Sequence, residues 1–214
     1  MVVFMEKVKV LVCGDLTNTI WHPLSHVAEE IKSLLGDDCD VVFEEHFESL
    51  GVKGYFQFDV CIFRMENYMD KEGTWPWITN DIVTYVANGG KVLLPHVPEI
   101  LQSTEISQMF GCRFRMHPPM YDVTFRVTGS EHPITKNVKR FTVFEERHQL
   151  LFDNNTPTDV FLTVDCPEGE APAGWSASFG LGKVVYLMPG HHAETYRNEE
   201  FRKLFKNAVL WLAG

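Results

Sequence analysis

The sequence predicts an α/β fold in three layers, a mostly parallel sheet between helices, extended by antiparallel strands in the C-terminal half. Three observations predict it. Over the first hundred residues, short β-branched runs alternate with amphipathic helical stripes in the order β-α-β-β-α-β, the signature of parallel strands joined by helical crossovers. Beyond residue 120 the strand candidates follow one another with only turn residues between them, which is hairpin spacing. The run "KVVYLMPG" (183–190) then returns to the buried-strand pattern and leads into a closing helix. A chain of 214 residues, 45% apolar and 13% aromatic, can bury one substantial core, so a single domain over 1–214 is expected.

Element by element, "KVKVLVCGD" (7–15) reads as a buried strand ending in a Gly-Asp turn. Leu24, Val27, Ile31, Leu34 and Leu35 then trace one helical face, with Pro23 in the first turn and Gly36 as the stop. "CDVVFEE" (39–45) and "FDVCIFR" (58–64) are strands separated by a loop containing Gly51 and Gly54. Ile78, Ile82, Val83 and Val86 share a helix face over 77–86, "NGG" (88–90) caps it, and "KVLLP" (91–95) is the next strand. A helix over 99–111 follows, then strands at 122–129, 147–152, 159–165, 174–180 and 183–190. "GLGKVVY" (180–186) precedes a strand and reads as a hairpin turn. The last helix buries Phe201, Leu204, Phe205, Ala208, Val209 and Leu212.

The charge balance, 19 basic against 29 acidic residues for a net −10, disfavours nucleic acid and anionic membranes as partners. The first residues show neither a positive n-region nor a cleavage site, and nowhere do about 18 apolar residues run together. Cys13, Cys39, Cys61, Cys112 and Cys166 are odd in number, scattered and never in a C-x-x-C pair, so neither a disulfide framework nor a structural zinc site is suggested. A cytoplasmic protein is expected.

In parallel α/β sheets, ligands bind beyond the carboxyl ends of the strands, where loops and helix N-termini converge. Three such ends deliver histidine: "GDLTNTIWHP" brings His22, "PHVPE" brings His96, and "GHHAE" brings Gly190, His191 and His192. Imidazole suits proton transfer near neutral pH and, when neutral, metal ligation. His26 falls within the first helix and reads as a surface residue. In "FTVFEERHQLLF" (141–152), Glu145 and Glu146 precede His148 at the head of a strand. Neighbours in a strand point to opposite faces, so Glu146 and His148 share one side, and Glu145 is expected in a solvated turn. No G-x-x-x-x-G-K-[ST] loop and no G-x-S-x-G elbow exists, and no cysteine sits at a glycine-flanked strand-to-helix elbow.

The segments "VANGGKVLLPH" (86–96), "SEHPITKNV" (130–138), "FTVFEERHQ" (141–149) and 174–214, in this order, resemble the trehalose-utilisation (ThuA-like) family, whose fold is related to class I glutamine amidotransferases. Where the family usually reads F-x-V-x-D-E-x-Y, Glu145 stands at a common aspartate, Glu146 matches the glutamate, and His148 replaces a tyrosine. The family's G-K-G-R-V-x-Y appears as "GLGKVVY", conservatively changed at Lys183. Its G-H pair is intact at Gly190 and His191, its strand-end histidine is matched by His96, and His22 is the best match to a histidine after the first strand. The resemblance implies a flavodoxin-type sandwich without the amidotransferases' elbow cysteine, since His96 occupies that position, so glutamine hydrolysis is disfavoured. It also implies a role with sugars, including trehalose and oxidised sugars.

Three functions fit these residues. The first is an enzyme acting on a sugar or oxidised sugar, with His96, Glu146 and His191 as acid, base or polar anchors and His22, His148, Gly190 and His192 contacting substrate. The second is a sugar-binding or regulatory module in which Trp21, Trp75, Trp77 or Tyr196 stacks on a sugar. The third, ranked below them, is a divalent-metal site, zinc for instance, built from the same histidines and Glu146. The expected partner is a small sugar derivative. A homo-oligomer is also compatible, Trp211 on the last helix packing within its own core or against a second copy.

Overall fold

The computed structural model describes residues 6–16, 21–65, 75–129, 131–153, 155–167 and 169–214. β1 (Val8–Cys13) has four consecutive residues buried, because helices cover both faces of a central parallel strand. It pairs in parallel with β2 (Cys39–Glu44) on one side and β3 (Val60–Phe63) on the other. β4 (Lys91–Pro95) and β11 (Gly182–Leu187) continue the parallel set. β10 (Gly169–Phe179), β9 (Thr158–Cys166), β6 (Tyr121–Val127) and β7 (Phe141–Glu145) extend the sheet in antiparallel fashion, giving nine strands in the order β2-β1-β3-β4-β11-β10-β9-β6-β7. The mostly parallel sheet and its C-terminal antiparallel extension are as expected, and "GLGKVVY" does lie at the β10–β11 hairpin.

Helices α1 (Ala28–Leu35), α3 (Trp75–Ala87) and, after the short α5 (Ala193–Arg197), α6 (Glu199–Ala213) flank this sheet. α6 buries all six apolar residues of its stripe, and Asn198 caps it by accepting from the Glu200 and Phe201 amides. Behind α3, Gly89 at φ 106° makes the left-handed turn that the "NGG" cap demands.

Four expectations need correction. The first helix is broken: Leu24–His26 is a 3-10 turn and α1 starts only at Ala28. The loop around Gly51 holds a short helix, α2 (Gly51–Tyr55), which seats the buried Tyr55 ring edge-on to Phe63; two glycines hid it, although Gly51 at φ 58° marks its entry. The helix at 99–111 is divided at Ser103, whose side chain accepts from the Ile106 amide and starts α4 (Thr104–Phe110) after a 3-10 turn. Finally, "FTVFEERHQLLF" is two strands. β7 ends at Glu145, and β8 (Gln149–Phe152) pairs with β5 (Cys112–Met116) in a separate two-stranded sheet. β5 escaped notice because its exposed arginines, in "CRFRM", mask the pattern of a half-buried strand.

The candidate functional site

Four strands of the parallel set end on one edge, and each delivers a polar side chain there. His22 lies beyond β1, Arg64 directly follows β3, His96 follows β4, and His191 lies beyond β11. β7 joins them through two features. Each antiparallel pairing reverses direction, so across β10, β9 and β6 it ends up running parallel to β11. It is also four strand spacings from β11, about 19 Å in a flat sheet, yet Glu145 Oε1 accepts from the Gly190 amide at 2.8 Å. The extension must curl back over the edge, and register shifts at Pro172–Trp175 of β10 are where the bend enters.

At this edge His22, His96, Glu146 and His191 converge, one ligand-type atom from each lying within 4.8 Å of all the others. His191 Nδ1 is 2.9 Å from His96 Nε2 and 3.3 Å from His22 Nε2. Glu146 Oε2 is 3.5 Å from His96 Nε2 and 3.6 Å from His191 Nδ1. The three histidines are buried, and the Glu146 side chain is 12% exposed, which makes the carboxylate the side of the cluster nearest water.

The residues behind the cluster hold its geometry. His96 takes the left-handed φ of 60°, a strained position for a non-glycine residue at a strand end. Its Nδ1 lies 2.9 Å from the Met188 carbonyl, an acceptor only, so Nδ1 carries a proton and Nε2 is the nitrogen that faces the cluster. Glu145 is fully buried, and the solvated turn expected of it is overturned. Its Oε1 accepts from the Gly190 and His191 amides and from Thr195 Oγ1, while Oε2 faces His96 Nδ1 at 3.6 Å. Arg64, 1% exposed, ties two loops together by donating to the His22 carbonyl at 2.6 Å and the His191 carbonyl at 2.8 Å. Gly190, at φ 137°, contributes backbone alone.

Burial and the cluster's own charges set the protonation pattern. Burial would push the Glu146 carboxyl up, but the imidazoles of His191 and His96 beside it outweigh burial and hold the group well below the usual carboxylate range. Burial likewise opposes charge on His96, and Glu146, Glu145 and the Met188 carbonyl together overcome it and raise its pKa. His22 is driven strongly downward, first by burial and then by the electrostatics of His96, Arg64 and His191 around it, so it is neutral. The Glu99 carboxyl, in the turn just after His96, is pushed up by burial.

His148 sits one layer out, its ring 4.6 Å from that of His96. Its side chain is wholly enclosed, Nδ1 is 2.6 Å from the Tyr186 hydroxyl, and Nε2 is 4.0 Å from Glu146 Oε2. His192 stacks edge-on against His191 and is half-buried outside the cluster. Tyr196 is fully buried among Phe201 and Phe205 and cannot serve as a stacking platform, whereas Trp21, beside His22, is 68% exposed. The side chains of Trp75 and Trp77 lie outside the described residues. Sequence reasoning did not single out Arg64 or His117, and it placed Glu145 in a solvated turn. Arg64 had a readable signal, a charge closing the apolar strand "FDVCIFR". His117, whose Nδ1 is 3.5 Å from Glu146 Oε1 and whose side chain is 36% exposed, had none.

The sequence pattern of the ThuA family, described as trehalose utilisation, matches residues 9–212. Among curated protein sequences none matches this chain. Solved structures do. A ThuA-like protein of Parabacteroides merdae superposes with a TM-score of 0.78 at 13% identity, over 97% of this chain and 90% of that one. A ThuA-like protein of Bacteroides uniformis gives 0.75 at 20% identity, over 96% and 91%. A cytoplasmic protein of Salmonella typhimurium LT2 gives 0.72 at 15% identity, over 95% and 99%. At these identities the superpositions bear on the fold alone, which is the ThuA-like, flavodoxin-like sandwich with an extended sheet. No helix among the described residues is long and apolar enough to cross a membrane. Since the family pattern runs through both the strands and the loops that build the cluster, the chain belongs to the ThuA, trehalose-utilisation, family.

Proposed function

We propose that this chain is a cytoplasmic, metal-dependent enzyme acting on a sugar or oxidised sugar, with His22, His96, His191 and Glu146 as the ligands of one divalent cation, zinc fitting best. The carrying observation is the spacing of the four atoms. Tetrahedral ligands about 2.0–2.1 Å from zinc are separated by about 3.3 Å; four of the six separations fall between 2.9 and 3.6 Å, and all six lie within 4.8 Å. A three-nitrogen, one-oxygen set is also chemically suited to zinc. The His96 Nδ1–H to Met188 carbonyl bond is the outer-shell contact that orients a ligating imidazole, with Glu145 behind it.

A cation held there would polarise a carbonyl or acidify a bound water. The residues around it would do the rest. Arg64 and Glu145 keep the histidine loops in register, which excludes water from behind the cluster. The enclosed His148 and the half-buried Glu99 offer acid–base groups near it, and the partly exposed His117 stands 3.5 Å from Glu146 Oε1 on the solvent side. Trp21 presents an apolar face beside His22 for a sugar ring.

A second reading rests on His96 alone. Its raised pKa, with Glu146 ionised 3.5 Å away, makes a metal-free acid–base pair able to exchange a proton next to a sugar carbonyl.

Elemental analysis of protein purified without an affinity tag, combined with NMR-monitored solvent exchange of keto-sugar protons, separates these readings. The expected result is about one equivalent of metal per chain, with sugar turnover that depends on it, both lost in His191→Ala. Turnover by metal-free protein would leave the acid–base pair, and metal without turnover of any sugar would leave a binding module.

A further inference from the structure

Around β8 and the residues before it, and lined by none of the four cluster residues, lies an open pocket of about 310 Å³, at the lower end of the range of small-molecule sites, about 300–1,000 Å³. Its walls are the start of β8, Arg115 of β5, and the β9–β10 hairpin. Two arginines and Gln149 line it. Arg147 is only 9% exposed, yet among the described residues its guanidinium has neither an ion pair nor a hydrogen bond. A guanidinium is never deprotonated in a protein, and a mostly buried cation without a counter-charge is unfavourable. In a chain of net charge −10 a carboxylate partner would be easy to supply.

The carboxylate that does line the pocket is engaged elsewhere. Glu170 Oε2 accepts from Thr163 Oγ1, and its Oε1 lies 4.0 Å from Arg126, which itself forks onto Asp165. Arg115 arrives through a second irregularity. The β5–β8 register shifts between Phe114 and Met116, and a bulge of this kind re-aims the side chain it carries. Arg115 is exposed, so the pocket is lined by one mostly buried and one accessible arginine together with Gln149, a donor set of the kind that recognises planar or tetrahedral oxyanions.

We propose that this pocket binds the anionic group of a small ligand, the carboxylate or phosphate of a sugar derivative, with Arg147 as the buried anchor and Arg115 as the outer clamp. The choice of a sugar as carrier rests on the functional reading above. The oxyanion site itself does not, because it shares no cation ligand with the cluster. The two are nonetheless near each other in the fold: His148 is among the residues around the pocket, and its enclosed imidazole stands 4.0 Å from Glu146.

Cys166 provides a direct readout. It lines the same pocket and is half-buried, whereas Cys13, Cys39, Cys61 and Cys112 are buried. The rate at which a thiol reagent labels Cys166 is to be followed with inorganic phosphate, acetate, glucose 6-phosphate, glucuronate and glucose, in the wild type, Arg115→Gln, Arg147→Gln and His191→Ala. Charged ligands are expected to slow labelling and glucose is not. Arg115→Gln, at an exposed position where folding is safe, is expected to weaken the protection about tenfold or more. Protection by glucose 6-phosphate and phosphate identifies a phosphate site, and protection by glucuronate and acetate a carboxylate site. His191→Ala should retain full protection, so loss of the cation reading leaves this one standing. Labelling unaffected by every anion, or slowed equally in Arg115→Gln and the wild type, overturns the proposal.

Discussion

Two residues show how a side chain of the same type takes opposite roles according to its neighbours. Glu146 faces three imidazoles and stays ionised at the mouth of the cluster, while Glu145, next to it in sequence, is enclosed and spends three hydrogen bonds on holding the Gly190–Thr195 loop. His132 is the counter-example to the cluster. Its Nε2 lies near both Ser176 Oγ and Asp159 Oδ2, so these three do not form a relay, which needs the acid on the other nitrogen. Nδ1 instead accepts from the Ile134 amide and caps a 3-10 turn. Burial pushes the His132 imidazole down, against the weaker pull of Asp159. The unfolded chain therefore takes up a proton at His132 before the folded one does. The neutral ring's contribution to stability is complete above the unfolded value, about 6.5, and is lost as pH falls below it. In urea titrations from pH 7.5 to 5, His132→Asn, which keeps a capping acceptor, should show a flatter loss of stability than the wild type. Parallel slopes for the two proteins would remove His132 from the acid side of the stability profile.

At the scale of elements, the site depends on how closely strand ends approach one another. Gly14, directly after β1, lets the chain pass the backbone of Arg64: a Cβ there would stand 2.3 Å from the Arg64 carbonyl oxygen. Arg64 in turn bridges the loops that carry His22 and His191. Gly14→Ala must push β1 and β3 apart where their ends form the site. It is expected to lower stability by about 1–3 kcal/mol and to reduce metal retention with it. A shifted urea midpoint at unchanged slope checks the first, and the metal content of the folded variant checks the second. Wild-type stability in Gly14→Ala would mean that the two strand ends yield without consequence.

In the nine-stranded sheet, the parallel half supplies three imidazoles and the curled antiparallel half supplies the carboxylate. Closing the cluster therefore locks the N-terminal strands to the C-terminal extension. A cation bound only by the folded chain adds to stability as RT ln(1 + [L]/Kd), about 2.7 kcal/mol at a hundredfold excess over Kd. Zinc added to chelator-treated wild-type protein should raise the thermal midpoint by several degrees, and should leave His191→Ala where it was. Equal midpoints with and without zinc in the wild type would speak against a site that joins the two halves.

Much of this was legible from residue order. Buried parallel strands appear as apolar runs, strand ends are marked where those runs stop, and a histidine at three stops already named His22, His96 and His191. Glu146 was named too, but the strand alternation offered for it is not there: residues 146–148 lie between β7 and β8, and both acids reach His96, Glu145 from behind. What only the tertiary structure decided was distance. The curl that carries β7 four strands back to Gly190, the Arg64 bridge, the approach of His117 and the pocket around Arg147 all arise from contacts between segments far apart in the chain. Local patterning reports which face of an element is apolar. It holds no record of how far a sheet bends, because that is set by register shifts and by packing across the whole core.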